Sequence, residues 1–172
     1  MEQNSFLFQQ SSRIGFSHQD FFRYVVNNAF ERREINKHIE DVLSIKNRKP
    51  LPVLFGGDTA EKQTSLMSGT NVWLKLRGSK IYKPFPYLLG KDKEVWELPY
   101  SYILNHTVEE IIENAKNGEQ DASRLSFLVE KVKLKLGLRA SDITEGFFIP
   151  QKMHLDDLIK RLADIFYESH QK

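Results

Sequence analysis

Three observations in the 172-residue chain predict an α+β fold. A helical apolar stripe begins after residue 16, short apolar and alternating runs broken by glycine and proline fill the middle third, and capped amphipathic helices fill the last third. The predicted arrangement is an N-terminal helix, a small antiparallel sheet in the middle third and a C-terminal helical bundle packed against it. Residues 1–15 carry no periodic pattern and read as a loosely ordered N-terminal arm. Residues 16–172 read as a single α+β domain, within which 104–172 is the candidate helical subdomain.

The first helix is announced by local chemistry. Ser17 can cap it, with Asp20 at the third helical position and Phe16 placed to staple onto Phe21. Phe22, Val25, Val26 and Ala29, then Ile35, Ile39, Val42 and Leu43, recur at helical spacing. The stripe is interrupted over Glu31–Glu34, so the pattern fits one helix over 17–46 or two joined near Arg33, ended by Pro50 and Pro52. The run Leu51–Gly57 is a short apolar strand closed by two glycines. Asp58–Thr70 is polar and reads as a loop, with a turn or two of helix open to it. Asn71–Gly78 alternates, with Val72, Leu74 and Leu76 on one side and Trp73, Lys75 and Arg77 on the other, the period of a strand. Gly78-Ser79 then reads as a turn into a return strand. Pro84 and Pro86 confine that strand to a sheet edge or cut it short. Residues 94–104 offer a further strand broken at Pro99.

Thr107 and Glu110 form a capping box for a helix with Val108, Ile111, Ile112 and Ala115 as its stripe and Asn117-Gly118 as its stop. A second helix is preferred over about 121–136, ending at Gly137, with Leu125, Leu128, Val129, Val132 and Leu136 on its buried side, although Val132–Leu138 also alternates as a strand would. The last carries Leu155, Leu158, Ile159, Leu162, Ile165 and Phe166 at helical spacing.

Composition excludes several function classes. With 40% hydrophobic and 28% charged residues the chain is globular. No cysteine is present, which removes a disulfide scaffold, a thiolate metal site and a cysteine nucleophile. No apolar run reaches membrane-spanning length, and the N-terminus lacks the basic and apolar regions of a secretory signal, so a cytoplasmic protein is expected. The net charge of +2 conceals a gradient. Residues 46–93 hold ten lysines and arginines against three acids, Asp58, Glu61 and Asp92.

Motifs that would name a reaction are weak. His154 and Asp157, three apart, offer two metal ligands where a catalytic zinc site takes three, so no metal and no cofactor is expected. Two acids in a first helical turn are accounted for by the macrodipole. Arg33 and His38 have a spacing used by helical ribonucleases on RNA phosphate, and they are the residues on which a nuclease reading rests. Solvated helix-face residues are the much better account of them, since such a spacing arises readily by chance. Gly56–Lys62 lacks the order of a phosphate-binding loop and reads as a strand-ending turn. No residue is assigned a catalytic role.

The opening for function is the basic, aromatic stretch Asn71–Lys93. As a hairpin it would present Trp73, Lys75 and Arg77 together on one face, with Lys80 and Lys83 extending the positive track. A flat ring beside cations suits base stacking and phosphate contact in single-stranded nucleic acid. The expectation is a non-enzymatic binding protein that holds an acidic macromolecule through Trp73, Lys75, Arg77, Lys80 and Lys83, nucleic acid being the leading partner. The competing class is an assembly adaptor that buries the same strand edge and the N-terminal arm against other protein chains, an acidic protein surface being the partner of the basic stretch. The structural alternative is a tryptophan covered by a helix and lysines that keep an edge strand soluble.

Overall fold

The structure is a computed structural model that describes residues 6–13, 15–35, 48–103, 107–138 and 149–170. The order of elements is α1 (Phe6–Arg13), α2 (His18–Arg32), β1 (Lys49–Gly56), α3 (Lys62–Arg77), β2 (Tyr82–Leu89), β3 (Glu94–Glu97), α4 (Tyr100–Ile103), α5 (Val108–Gln120), α6 (Ala122–Leu136), β4 (Gln151–His154) and α7 (Leu155–His170). The fold is α+β, built on a four-stranded sheet in the order β1-β2-β3-β4.

The sheet is mixed rather than antiparallel. β1 pairs with β2 in parallel, while β2–β3 and β3–β4 are antiparallel. Parallel neighbours cannot be joined by a tight turn, and α3 supplies the crossover. The return strand expected at an edge is therefore interior. Lys49 N donates to Ile81 O and Gly57 N to Leu89 O, both at 2.7 Å. The alternation between them turns the nitrogens of Pro50 and Pro52 outward on edge strand β1. On β2 the nitrogens of Pro84 and Pro86 point away from β1, and β3 pairs only from Tyr87 onward, so neither proline leaves a ladder bond unmade.

Helices cover both faces. On one, Val53, Phe55, Leu88 and Trp96 pack with Leu66 and Trp73 of α3 and with Val108, Ile111 and Ala115 of α5. On the other, Tyr87 and Val95 pack with Leu158 of α7, flanked by Phe85, Leu89, Met153, Leu155 and Leu162. A polar contact, buried at its Glu97 end and open to solvent at its Arg161 end, ties α7 to this second face. Arg161 Nη1 donates to Glu97 Oε2 at 2.8 Å, and Glu97 faces Tyr87 across the β2–β3 pair and accepts its hydroxyl hydrogen bond.

The local signals at Ser17, Thr107 and Gly137 are borne out. Ser17 Oγ accepts from Asp20 N and Asp20 accepts from Ser17 N, a complete capping box for α2. Thr107 accepts from Glu110 N, and α6 ends at Gly137, whose φ is +62°. Asn117-Gly118 does not stop α5. The helix runs on to Gln120, and Gly118 sits inside it where the Tyr102 hydroxyl occupies the space a Cβ would need.

The expected arm is partly helical. α1 buries Phe8 and Ser12, and the Phe8 ring meets Phe21 at 5.7 Å. Phe16 is buried against Tyr24, 5.6 Å between centroids. α2 ends at Arg32 with Arg33 as its C-cap, and the second half of the expected stripe, Ile39 to Leu43, lies outside the described residues. The buried face of α2 is polar: Asp20, Arg23 and Asn27, with Asp20 paired to Arg23 at 2.9 Å. Phe22 and Val25 are exposed instead. In the C-terminal helices Val129, Leu155, Leu158 and Leu162 face inward as expected, but Leu128, Leu136 and Ile159 are exposed. The side chains of Leu125, Ile165 and Phe166 lie outside the described set.

Gly69 sits within α3 against Phe55 of β1. A Cβ there would come within 2.6 Å of Phe55 Cδ1, so Gly69→Ala is expected to lower unfolding stability by about 1–3 kcal/mol in urea titration. The intrinsic helix preference alone would raise it by about 1 kcal/mol, so the sign reports the packing.

Burial, then the Glu97 carboxylate, pushes the Tyr87 hydroxyl up to about 12, against an opposing effect of Arg161. The folded state thus keeps a proton that the unfolded chain has lost above its ordinary value of 10.0. Stability from this group is complete below that value. It is expected to fall by up to about 1.4 kcal/mol per pH unit as pH rises toward the folded value, and Tyr87→Phe should flatten that slope in denaturation curves.

Candidate functional site

The basic stretch is not a hairpin. Residues 62–77 form α3, and the alternation over Asn71–Arg77 lies inside a longer helical pattern of Leu66, Gly69, Trp73 and Leu76. The helix places Trp73 and Arg77 four residues apart on one face. Trp73 is 2% exposed, so it offers no platform for an external base. Its ring meets Tyr100 at 5.4 Å, and the Arg77 guanidinium lies 4.9 Å from the Trp73 centroid and 4.4 Å from that of Tyr100. The Tyr100 hydroxyl is hydrogen-bonded to His18 Nδ1, which carries the contact on to α2. Trp73 Nε1 is buried with no hydrogen-bond partner among the described residues. Trp73 and Arg77 are therefore a packing anchor between α3, α4 and α2.

Lys75, Lys80 and Lys83 do reach the surface. The topology gathers them, because a parallel pair starts both strands at one end and the crossover helix finishes there. Arg48 and Lys49 open β1, Lys75 lies in the last turn of α3, Lys80 is in the connection, and Lys83 follows Tyr82 at the start of β2. The register sets Lys49 opposite Tyr82 and Pro50 opposite Lys83. Ser79 Oγ accepts from both Ile81 N and Tyr82 N at 3.1 Å, which holds the Lys80 turn in shape. Ile81 is 60% exposed and Tyr82 38%, so an apolar side chain and an aromatic ring stand among the cations. The Lys83 ammonium lies 5.2 Å from the centroid of Phe85. None of Lys49, Lys75, Lys80 and Lys83 is ion-paired to another described residue. No acid occurs in residues 48–57 or 75–91, and Asp58, Glu61 and Asp92 all fall at the other end of the strands.

That other end forms a cleft that the sequence reading passed over as a strand-ending turn. β1 leaves through Gly56 and Gly57, with φ of +89° and +115°, and β2 ends at Leu89, just before Gly90. Between these turns and α5 lies a cavity of about 370 Å³ floored by Val108 and Ile112. Lys62 of α3 is ion-paired to Glu109 of α5, and this contact, helped by Lys91, holds the Glu109 carboxyl below the usual carboxylate range. The available signal was Gly-Gly immediately after an apolar run and just before a helix.

Other candidates stay apart. Arg33 is exposed at the end of α2, and His38 lies outside the described residues, so the pair is not placed. His154 contacts Asp156 at 3.3 Å, while Asp157 faces Lys160 at 3.8 Å. Among the described residues no group of three His, Asp or Glu side chains is arranged to hold a metal, and no helix is long and apolar enough to cross a membrane. No protein-family model, curated protein or solved structure matches the chain.

Anchor and surface residues separate in a stability measurement. Arg77→Ala removes two ring contacts and is expected to lower the unfolding free energy by about 1–2 kcal/mol. Lys75→Ala, two residues away but exposed, is expected to change it by less than about 0.5 kcal/mol in the same denaturation assay.

Proposed function

We propose that this chain is a binding protein that holds an acidic macromolecule, nucleic acid first, at the end of the domain where β1 and β2 begin. The observation that carries the reading is the gathering of Arg48, Lys49, Lys75, Lys80 and Lys83 around exposed Tyr82, with every acid of residues 46–93 at the opposite end. One-sided positive charge raises the local concentration of a polyanion and speeds encounter. Tyr82 takes the stacking role that Trp73 cannot fill, and Ile81 adds apolar contact beside it. Arg77 supports the surface from beneath.

An assembly adaptor is the second reading, favoured by Phe127 and Leu134 of α6, 68% and 82% exposed. Large apolar side chains that open to solvent on one helix suit a protein partner. The two readings differ in salt dependence, since counterion release accompanies phosphate contact but not apolar burial.

Fluorescence anisotropy with labelled single-stranded RNA, single-stranded DNA and duplex DNA at two salt concentrations tests the proposal. Three to five phosphate contacts on a single strand give a log–log salt slope of about −2 to −3.5. The triple variant Lys75→Glu/Lys80→Glu/Lys83→Glu is expected to weaken binding by at least about tenfold while leaving the unfolding midpoint near that of the parent. Binding that is flat with salt, or unchanged in the triple variant, overturns it.

A further inference from the structure

We propose that the cleft at the carboxyl ends of β1 and β2 is a second site, which binds a small zwitterion of the amino-acid class. This inference does not rest on the nucleic-acid reading, because the two surfaces lie at opposite ends of the parallel pair. The cavity of about 370 Å³ is of the size that small-molecule sites occupy. It lies beyond the carboxyl ends of neighbouring parallel strands, where the chain turns away from the sheet and leaves a crevice. Gly57 and Gly90 present backbone without side chains there, and a Cβ on Gly57 would meet nothing within 4 Å.

The charges of the lining decide the ligand class. Lys62 is taken by Glu109, and Glu94 is taken by Lys152 at 3.4 Å and by the indole N–H of Trp96. Asp58, Lys91, Glu113 and Lys116 remain, none ion-paired to another described residue. Two ammonium and two carboxylate groups therefore surround an apolar floor. A simple anion would meet two carboxylates and a simple cation two ammonium groups, and either repulsion opposes binding. A molecule with one charge of each sign and an apolar body matches both the rim and the floor. On α5 the spacing helps: Ile112 and Lys116 are four apart, as are Glu109 and Glu113, so apolar and charged groups follow one another along one helix face.

The test is a heteronuclear NMR titration of the full chain with L-phenylalanine, phenethylamine and 3-phenylpropionate, which share a ring but differ in charge. Phenylalanine is expected to shift the amides of Gly57, Gly90 and Ile112 saturably, with each single-charge analogue at least about tenfold weaker. Glu113→Ala and Lys116→Ala, both on the exposed side of α5, are each expected to weaken phenylalanine by about tenfold and to leave the rest of the spectrum in place. The proposal is overturned by no saturable shift at millimolar phenylalanine, by an analogue that binds as tightly, by binding that survives both variants, or by shifts confined to residues 80–83. The first three of these results leave the basic end untouched, since its own test reads polyanion binding.

Discussion

The parallel pairing of β1 with β2 is the constraint on which the rest of the molecule depends. Two strands that run the same way cannot be joined by a short turn, so the chain between them must travel back along the sheet. Residues 62–77 do so as α3, and the helix lies on the face that Phe55 and Leu88 present. Gly69 permits the close approach, and Trp73 fills the space beyond it. From this arrangement the two ends of the pair acquire different characters. One collects the strand starts and the helix end, and the other collects the glycine turns.

The aromatic stack at Trp73 connects this unit to the N-terminal helices. Arg77 covers both Trp73 and Tyr100, and Tyr100 passes the contact to His18 at the start of α2. Delocalised guanidinium charge is weakly hydrated, which is why it can lie half-buried on two rings. The opposite face is held differently. There α7 packs Leu158 on Val95 and Tyr87, and Arg161 neutralises the carboxylate of Glu97, which is otherwise buried in the sheet. Loss of Arg161 would leave that charge without its counterion, a larger cost than the loss of an exposed pair.

Charge segregation, more than any single motif, suggests how the surface is used. The cations of residues 46–93 are spread along the sequence, and the crossover brings five of them to one rim, apart from the acids. The same crossover sets Lys62, Lys91 and three carboxylate-bearing elements around an apolar cleft at the far rim. On the proposed reading a polyanion meets the first rim, whereas side chains of both charges line the second. The chain thus presents two chemically distinct surfaces on one small sheet.

Features governed by a few neighbouring residues were determined by the sequence itself. The Ser17–Asp20 box, the Thr107 cap, the end of α6 at Gly137 and the strand before Gly56-Gly57 all follow from local hydrogen bonding and backbone freedom, and the α+β class follows from their order. The basic character of the middle third was equally legible. What tertiary structure decided were the choices between patterns that local chemistry leaves equal. Asn71–Arg77 fits period two over seven residues and period 3.6 over sixteen, and only the parallel pairing of strands about thirty residues apart selects the helix. That selection moved Trp73 from the surface to the core, made Arg77 its cover and left Lys75, Lys80 and Lys83 outside. The four-residue strand β4 was likewise beyond reach, because it exists only through the edge that β3 offers from more than fifty residues away, and the inward turn of α2's polar face was decided by burial, which the local Asp20–Arg23 pair satisfies but does not announce.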